Sequence, residues 1–206
     1  MKAYLAGPDV FRADAAEIAA RRKELCATYG VEALHPFDQA LDGLAAHDLA
    51  GAIFRANIAM MREADVVIAE LSPFRSPSAD PGTAFELGFA FAAGTPVYGF
   101  SAAAEPLFER TVGGVSRDNL EVLPDGRLLH ADGLVVEDFG LADNLMLIEA
   151  ITASGGRFFT SAGGPWAAPG GLDPFEACLA AASKRLAFAA AAEPPTHKKT
   201  AGTTHG

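Results

Sequence analysis

Cysteine, positive charge and long hydrophobic runs are all scarce in this 206-residue chain. The two cysteines, Cys26 and Cys178, lie far apart in apolar helical stretches, and neither has a Cys or His neighbour at metal-ligand spacing. We therefore expect buried, reduced thiols and no metal site. No apolar run approaches the roughly 18 residues that a membrane span needs, so we expect no membrane partner.

Positive charge is outnumbered, with 16 Lys and Arg residues against 26 Asp and Glu and a net charge of −10. So acidic a surface repels phosphate backbones, which argues against DNA or RNA as a partner. Residues 1–7 have the pattern of a strand and its turn rather than of a signal peptide, so we expect a cytoplasmic protein.

Hydrophobic residues make up 50% of the chain, enough for the core of one ordinary domain. We predict a single domain over residues 1–190. The last residues, 191–206, are polar and are predicted to form a disordered tail.

Strand and helix patterns alternate along the chain. Predicted strands cover residues 2–6, 31–35, 65–71, 96–100 and 134–137. Predicted helices cover residues 14–29, 47–64, 81–93, 141–153 and 173–190. This alternation predicts a doubly wound α/β fold, flavodoxin- or Rossmann-like, with about five parallel strands and helices on both faces. Residues 102–133 are less regular, with a helical excursion and a hairpin around Asp125-Gly126, and residues 157–160 are a candidate further strand.

Ligands of open parallel sheets bind at the carboxyl ends of the strands. Here the first predicted strand ends in Gly7-Pro8-Asp9, and the second ends in Pro36-Phe-Asp-Gln39. The third leads through a polar, Pro-rich loop, residues 72–80, into the helix that carries Glu86. Because none of these loops is a basic, phosphate-gripping one, we expect a neutral, hydrogen-bonding ligand.

Asp80 and Glu86 form the central pair of carboxylates in this inventory. Two carboxylates at one pocket suit glycosidic chemistry, in which one attacks or stabilises the anomeric carbon and the other handles protons. Gly82 permits a ligand to approach the backbone at the helix start. The structural alternative is that Asp80 only caps the helix and Glu86 is only a solvated residue. The apolar neighbours Phe85 and Leu87 weigh against a solvated Glu86.

Four short sequence motifs occur in order over about residues 1–153. They are Tyr4-Leu-Ala-Gly-Pro-Asp-Val-Phe11, Ala64-Asp-Val-Val-Ile-Ala69, Asp80-Pro-Gly-Thr-Ala-Phe-Glu-Leu-Gly88 and Asp143-Asn-Leu-Met-Leu147. Together these motifs resemble the nucleoside 2-deoxyribosyltransferases. The most specific part is Asp-x-x-x-x-x-Glu-x-Gly, since a lone Gly-Thr-x-x-Glu also occurs in other nucleotide N-glycosidases.

The resemblance implies catalytic roles for Glu86, Tyr4, Asp80 and Asp65. Glu86 matches the nucleophile, Tyr4 matches a tyrosine that orients it, and Asp80 matches a carboxylate that contacts the sugar or base. Asp65 matches a further pocket aspartate, although it opens the third predicted strand at its amino end, where topology alone would not place a site residue. Without the resemblance, Tyr4 reads equally well as a core tyrosine.

The resemblance also implies a homo-oligomer, because Asn144 and Met146 match a segment that a neighbouring subunit lends to the pocket. Taken alone, Asn144 is equally well a helix N-cap. Asp38 and Gln39 lie where the family has polar base-recognition residues. The predicted substrate-binding residues are Gly7, Pro8, Phe11, Asp38, Gln39, Gly82, Asn144 and Met146.

The implied activity moves 2-deoxyribose from a 2′-deoxynucleoside to a free nucleobase through a covalent sugar–glutamate intermediate, with no metal or cofactor. One alternative is an N-glycoside hydrolase of deoxynucleosides or their 5′-monophosphates, and another is a nucleoside-binding module. A monophosphate enzyme should carry a Gly/Ser-rich, Arg-bearing first loop, which Gly7-Pro-Asp-Val-Phe11 is not. The extension after Ala153 departs from short family members, so neither a role for the terminal carboxylate nor an oligomer type is carried over.

Overall fold

A five-stranded parallel sheet forms the centre of the computed structural model, which describes residues 1–38, 45–161 and 164–192. The strands run in the order β2-β1-β3-β4-β7, and β5 pairs with β6 in a separate antiparallel hairpin. This confirms the predicted α/β fold and the hairpin. The strands are β1 (Lys2–Ala6), β2 (Glu32–Leu34), β3 (Val66–Glu70), β4 (Val97–Ser101), β5 (Leu120–Val122), β6 (Leu128–His130) and β7 (Phe158–Thr160).

Helices cover both faces of the sheet because successive strand residues point to opposite sides. Ala3 and Ile68 belong to the core beneath the first and last helices, whereas Tyr4 and Val67 belong to the core on the other face. The helices are α1 (Ala15–Thr28), α2 (Ala46–Glu63), α3 (Pro81–Ala92), α4 (Leu107–Gly113), α5 (Leu145–Ala153) and α6 (Pro174–Ala192). Helices α1 and α6 cover one face, and α2, α3 and α5 cover the other.

The predicted fifth strand, residues 134–137, is wrong: β7 takes that place beside β4. Leu134 and Val135 are 68% and 41% exposed and extend along the hairpin, where Val135 forms an isolated antiparallel bridge with Leu129. The run is apolar enough for a strand, but its backbone partners are in β6. The sheet edge is occupied by Phe158–Thr160, whose residues are all buried.

Side-chain caps fix where the two helices nearest the predicted site begin. The carboxylate of Asp80 accepts a hydrogen bond from the Thr83 amide at 2.8 Å, and α3 begins at Pro81 as predicted. The side-chain oxygen of Asn144 accepts from the Met146 amide at 3.0 Å. Helix α5 therefore begins at Leu145 rather than at residue 141.

Both cysteines are free and buried, as expected. Helix α6 extends to Ala192, so the first two residues of the predicted tail are helical, and residues 193–206 lie outside the described part of the chain. Among the described residues, no helix has the length and apolarity to cross a membrane. One domain over residues 1–190 stays a prediction.

Candidate active site

Three elements converge on the Glu86 carboxylate. The Tyr4 hydroxyl, from β1, donates a hydrogen bond to Glu86 Oε1 at 2.5 Å. The side-chain amide of Asn57, from α2, donates to the same oxygen at 3.3 Å. The tyrosine bond is short, as expected for a hydroxyl that donates to a carboxylate. Because Tyr4 is itself fully buried in the sheet, it holds this carboxylate in a defined place on α3.

Glu86 and Asn57 open into a groove of about 350 Å³ between α2 and α3. Apart from these two residues its wall is apolar, and it includes Gly82, which the sequence predicted to lie at the site. The lining residues are Ala50, Ile53, Phe54, Asn57, Ile58, Met61, Gly82, Phe85 and Glu86. A carboxylate at the base of an apolar groove suits an uncharged ligand with a flat ring.

Burial raises the pKa of Glu86 to about 7. The hydrogen bonds from Tyr4 and Asn57 lower this pKa, whereas the negative charge of Asp80 raises it. Near neutral pH the carboxylate is therefore poised between its two forms, which suits a group that must ionise to react. Burial and the Glu86 charge raise the pKa of Tyr4 far above its usual range, so its hydroxyl remains a hydrogen-bond donor.

Asp80 is buried at the start of α3, and its Oδ2 accepts from both the amide and the hydroxyl of Thr83, at 2.8 and 3.1 Å. Asp80 therefore caps α3, which is the alternative role that the sequence offered for it. Its influence on the Glu86 pKa shows that it also acts on the site electrostatically. A Cβ on Gly82 would lie 2.9 Å from Asp80 Oδ2, so a larger residue here would displace the capping carboxylate.

The predicted first loop lies at the carboxyl edge of the sheet beside the loop that follows β3. Gly7 leads into a 3-10 turn, Pro8–Phe11. The Phe11 ring stacks on Phe74 with 5.1 Å between centroids, and the Arg75 guanidinium lies 4.7 Å from the Phe74 centroid. Phe11 is 59% exposed, so the stack borders solvent at this edge.

Asp65 does not join Tyr4, Asp80 and Glu86. It lies exposed at the amino end of β3, where its carboxylate accepts from the Lys2 amide at 2.7 Å. Asp38 pairs with Lys23 and also accepts from the His35 amide at 3.1 Å. Gln39 lies outside the described residues.

Asn144 and Met146 lie at the start of α5. The amide nitrogen of the Asn144 side chain donates to Glu137 at 2.8 Å, while its oxygen caps α5. Within one chain, Asn144 therefore acts as the N-cap of α5, the alternative role that the sequence offered. Met146 is 69% exposed and faces outward.

Asn57 is the site residue that sequence reasoning missed. It lies in the predicted helix 47–64, four residues after Ile53, on the face where apolar residues from Leu49 to Met60 form a stripe at helical spacing. A polar residue within that stripe is the signal that points to a buried hydrogen-bonding role.

Within residues 1–38, 45–161 and 164–192, no group of three or more His, Cys, Asp or Glu side chains is arranged to hold a metal ion. A family model described as nucleoside 2-deoxyribosyltransferase matches residues 3–146. The chain belongs to this family.

The chain is also similar to individual proteins. A 2-desoxiribosyltransferase from Leishmania mexicana is 35% identical, with a TM-score of 0.53 over 71% of this chain and 84% of its own. An uncharacterized protein of Schizosaccharomyces pombe is 34% identical over 164 residues, 74% of this chain and 78% of its own. A conserved protein from Enterococcus faecalis, 20% identical with a TM-score of 0.50, shares the fold over 90% of this chain and 98% of its own. The family makes this chain a nucleoside-processing enzyme of the deoxyribosyltransferase or N-glycosidase kind.

Proposed function

We propose that this deoxyribosyltransferase-family enzyme moves 2-deoxyribose between nucleobases through a covalent intermediate on Glu86. The observation that supports the proposal is the carboxylate of Glu86, held by two neutral donors in an apolar groove with its pKa at about 7. An ion pair would stabilise the carboxylate and lower its nucleophilicity, whereas neutral hydrogen bonds orient it and leave it reactive.

In the first step, ionised Glu86 attacks C1′ of a 2′-deoxynucleoside from the face opposite the base. Both hydrogen bonds to the carboxylate go to Oε1, so we assign the attack to Oε2. The new C1′–O bond forms as the C1′–N bond breaks, and the electron pair of that bond leaves with the base. A proton donated to the base, or a hydrogen bond to it, makes it a better leaving group. We assign this role to Asp80, which takes up the proton that Glu86 releases when it ionises, rather than to Asp65, which lies at the amino end of its strand.

In the second step, a nitrogen of the incoming base attacks C1′ as its proton passes to Asp80, and the bond to Glu86 breaks with its electron pair returning to the carboxylate. Two inversions give retention at C1′ and predict ping-pong kinetics. Transfer requires that water be kept from the intermediate. Phe54 and Phe85, whose ring centroids lie 6.0 Å apart on the groove wall, are suited to exclude it.

We further propose that a second copy of the chain covers the mouth of this groove. Ile53, Phe54 and Phe85 border the groove and are 39%, 55% and 51% exposed. A cluster of exposed apolar side chains around a reactive carboxylate is a typical interaction surface. The exposed Met146 supports the expectation that the start of α5 in one subunit completes the site of another.

The test is chromatography of the purified protein with deoxyinosine, with and without free adenine. We expect deoxyadenosine only when adenine is present and only with intact Glu86. The Glu86→Ala variant should make none, whereas Glu24→Ala, which removes an exposed glutamate of α1 on the opposite face of the sheet, should behave as the unchanged enzyme.

Other outcomes separate the alternatives. Hypoxanthine released at the same rate with and without adenine would show that the enzyme is a hydrolase rather than a transferase. If the protein turns over neither deoxyinosine, nor a pyrimidine deoxynucleoside, nor a deoxynucleoside 5′-monophosphate, the result would favour a binding module over an enzyme.

A further inference from the structure

Asp143 is a fully buried carboxylate that plays no part in the proposed chemistry. It lies one residue before the cap of α5, and its two oxygens are satisfied by four donors. Oδ1 accepts from the Ser78 hydroxyl and, at 2.7 Å, from the Asn144 amide. Oδ2 accepts from the Ala79 amide at 3.2 Å and from Arg110 at 3.3 Å. A buried charge with this many partners is costly to disturb.

Three of these donors belong to two segments of the chain, and the fourth, Arg110, belongs to α4. Ser78 and Ala79 immediately precede Asp80, whereas Asn144 is the N-cap of α5. The carboxylate therefore joins the residues that lead into α3 to those that open α5.

Arg110, from α4, makes the same connection from the other side. Its guanidinium donates to the Pro77 carbonyl at 2.9 Å and to the Ala142 carbonyl at 2.8 Å, in addition to its bond with Asp143. It also donates to the Glu105 carbonyl. The Arg110 side chain is only 11% exposed, and burial lowers its pKa. Each member of the pair thus binds both segments.

We propose that Asp143 and Arg110 are a positioning pair that sets Asp80 relative to Glu86 by tying residues 77–79 to the start of α5. The inference rests on the proposed roles of Asp80 and Glu86. A single peptide bond joins Ala79 to Asp80, so a shift of the Ala79 amide moves the cap of α3. Sub-ångström placement of reacting groups has large effects on rate, which makes this pair important for catalysis without contact with substrate.

The test compares Asp143→Asn and Ser78→Ala with Asp173→Ala, which removes a cap of α6 on the opposite face of the sheet. The first readout is a carbon-13 NMR titration of the Glu86 carboxyl, assigned with Glu86→Gln. The second is the split between kcat and KM for base exchange. Ser78→Ala is decisive because it removes one donor to Asp143 and changes no charge.

We expect Asp143→Asn to lower the titration midpoint of Glu86 by roughly 0.5 pH unit or more, because Asp80 moves away and water enters. Its kcat should fall about tenfold or more, with a smaller change in KM. Ser78→Ala should change both readouts in the same directions but less, and Asp173→Ala should change neither.

An unchanged midpoint and kcat in Ser78→Ala would overturn the proposal, as would equal changes in Asp173→Ala. If Asp143→Asn does not fold, Ser78→Ala alone decides. If the unchanged enzyme proves inactive in base exchange, the proposed function fails, but the titration midpoint still decides whether this pair positions Asp80.

Discussion

Two groups of buried carboxylates lie on opposite faces of the same sheet, and they differ in what surrounds them. Beneath α1 and α6, Arg22 forms ion pairs with Asp9 and with Glu70, the latter at 2.5 Å. On the other face, the partners of Glu86 are the neutral donors Tyr4 and Asn57. The first group has a cation to neutralise it, whereas the second keeps a carboxylate that is oriented but not neutralised.

The cation of the first group is itself enclosed. The Arg22 guanidinium lies 5.1 Å from the ring centroid of Phe100 and 5.2 Å from that of Phe175. The pKa of Asp9 is raised to about 6, because burial and the neighbouring charge of Glu70 raise it more than Arg22 lowers it. These contacts join the Gly7-Pro8-Asp9 loop to α1 and β3. The comparison supports a structural role for the Arg22 group and the catalytic role that we propose for Glu86.

Replacing Arg22 removes both ion pairs of the first group, and we expect this change to have the largest effect on stability. Arg22→Gln leaves Asp9 and Glu70 close together without a counter-charge, so we expect a loss of about 3–5 kcal/mol in the free energy of unfolding at pH 8. The pKa of Asp9 rises further when Arg22 no longer lowers it, so folding takes up protons and stability falls as pH increases. The loss should therefore be smaller at pH 5 than at pH 8.

Urea denaturation at both pH values measures the effect of Arg22→Gln. The matched control is Arg21→Gln, on the same helix, whose side chain is 76% exposed in its pair with Glu17. We expect the control to change stability by less than about 0.5 kcal/mol. A loss in Arg22→Gln no greater than in the control would show that the ion pairs do not hold the loop.

Removing the charge of the second group should have the opposite effect. The pKa of Glu86 is raised from 4.5 to about 7, which corresponds to a cost on the order of 3 kcal/mol once the group is ionised. Below pH 4.5 the carboxyl is protonated in both the folded and the unfolded chain, so there is no cost. Between pH 4.5 and 7 the unfolded chain ionises first and stability falls.

Glu86→Gln should therefore match the unchanged protein at pH 4 and be more stable by up to about 3 kcal/mol at pH 8, while it loses base exchange. Glu149→Gln, at an exposed position of α5, provides the control, and its difference in stability should be close to zero at both values. An equal stability difference for Glu86→Gln at pH 4 and pH 8 would contradict the raised pKa.

The sequence is sufficient to predict elements that have a clear local pattern. It is insufficient where residues far away in the chain determine which segments pair. β3 and α3 were placed within a residue or two because a buried β-branched run and a Pro-initiated helix are local signals. Residues 134–137 have the same apolar character as a strand. Only long-range pairing assigns them to the hairpin and gives the sheet edge to Phe158–Thr160.

The candidate site shows the same limit. Glu86 and Asp80 follow from motif spacing, and the Tyr4–Glu86 pairing follows from the family resemblance. Asn57 was missed because its meaning depends on α2 lying over α3, which no local pattern specifies. Asp143 belongs to a family motif, but the motif does not reveal its buried bonding, because two of its four donors lie 64 and 65 residues away in the chain.

The smallest of these effects should follow from Tyr4→Phe, which tests whether neutral donors set the reactivity of Glu86. The variant keeps the buried ring and removes the hydroxyl that lowers the Glu86 pKa. We expect the acidic limb of kcat/KM to move above pH 7, because more alkaline solution is needed to ionise Glu86. At pH 7 the loss should be about 10- to 100-fold, typical of one hydrogen bond to a charged group. Activity should recover partly at pH 9, since ionisation is restored there but orientation is not. A limb that stays at the pH of the unchanged enzyme would mean that Tyr4 is a core residue without influence on the nucleophile.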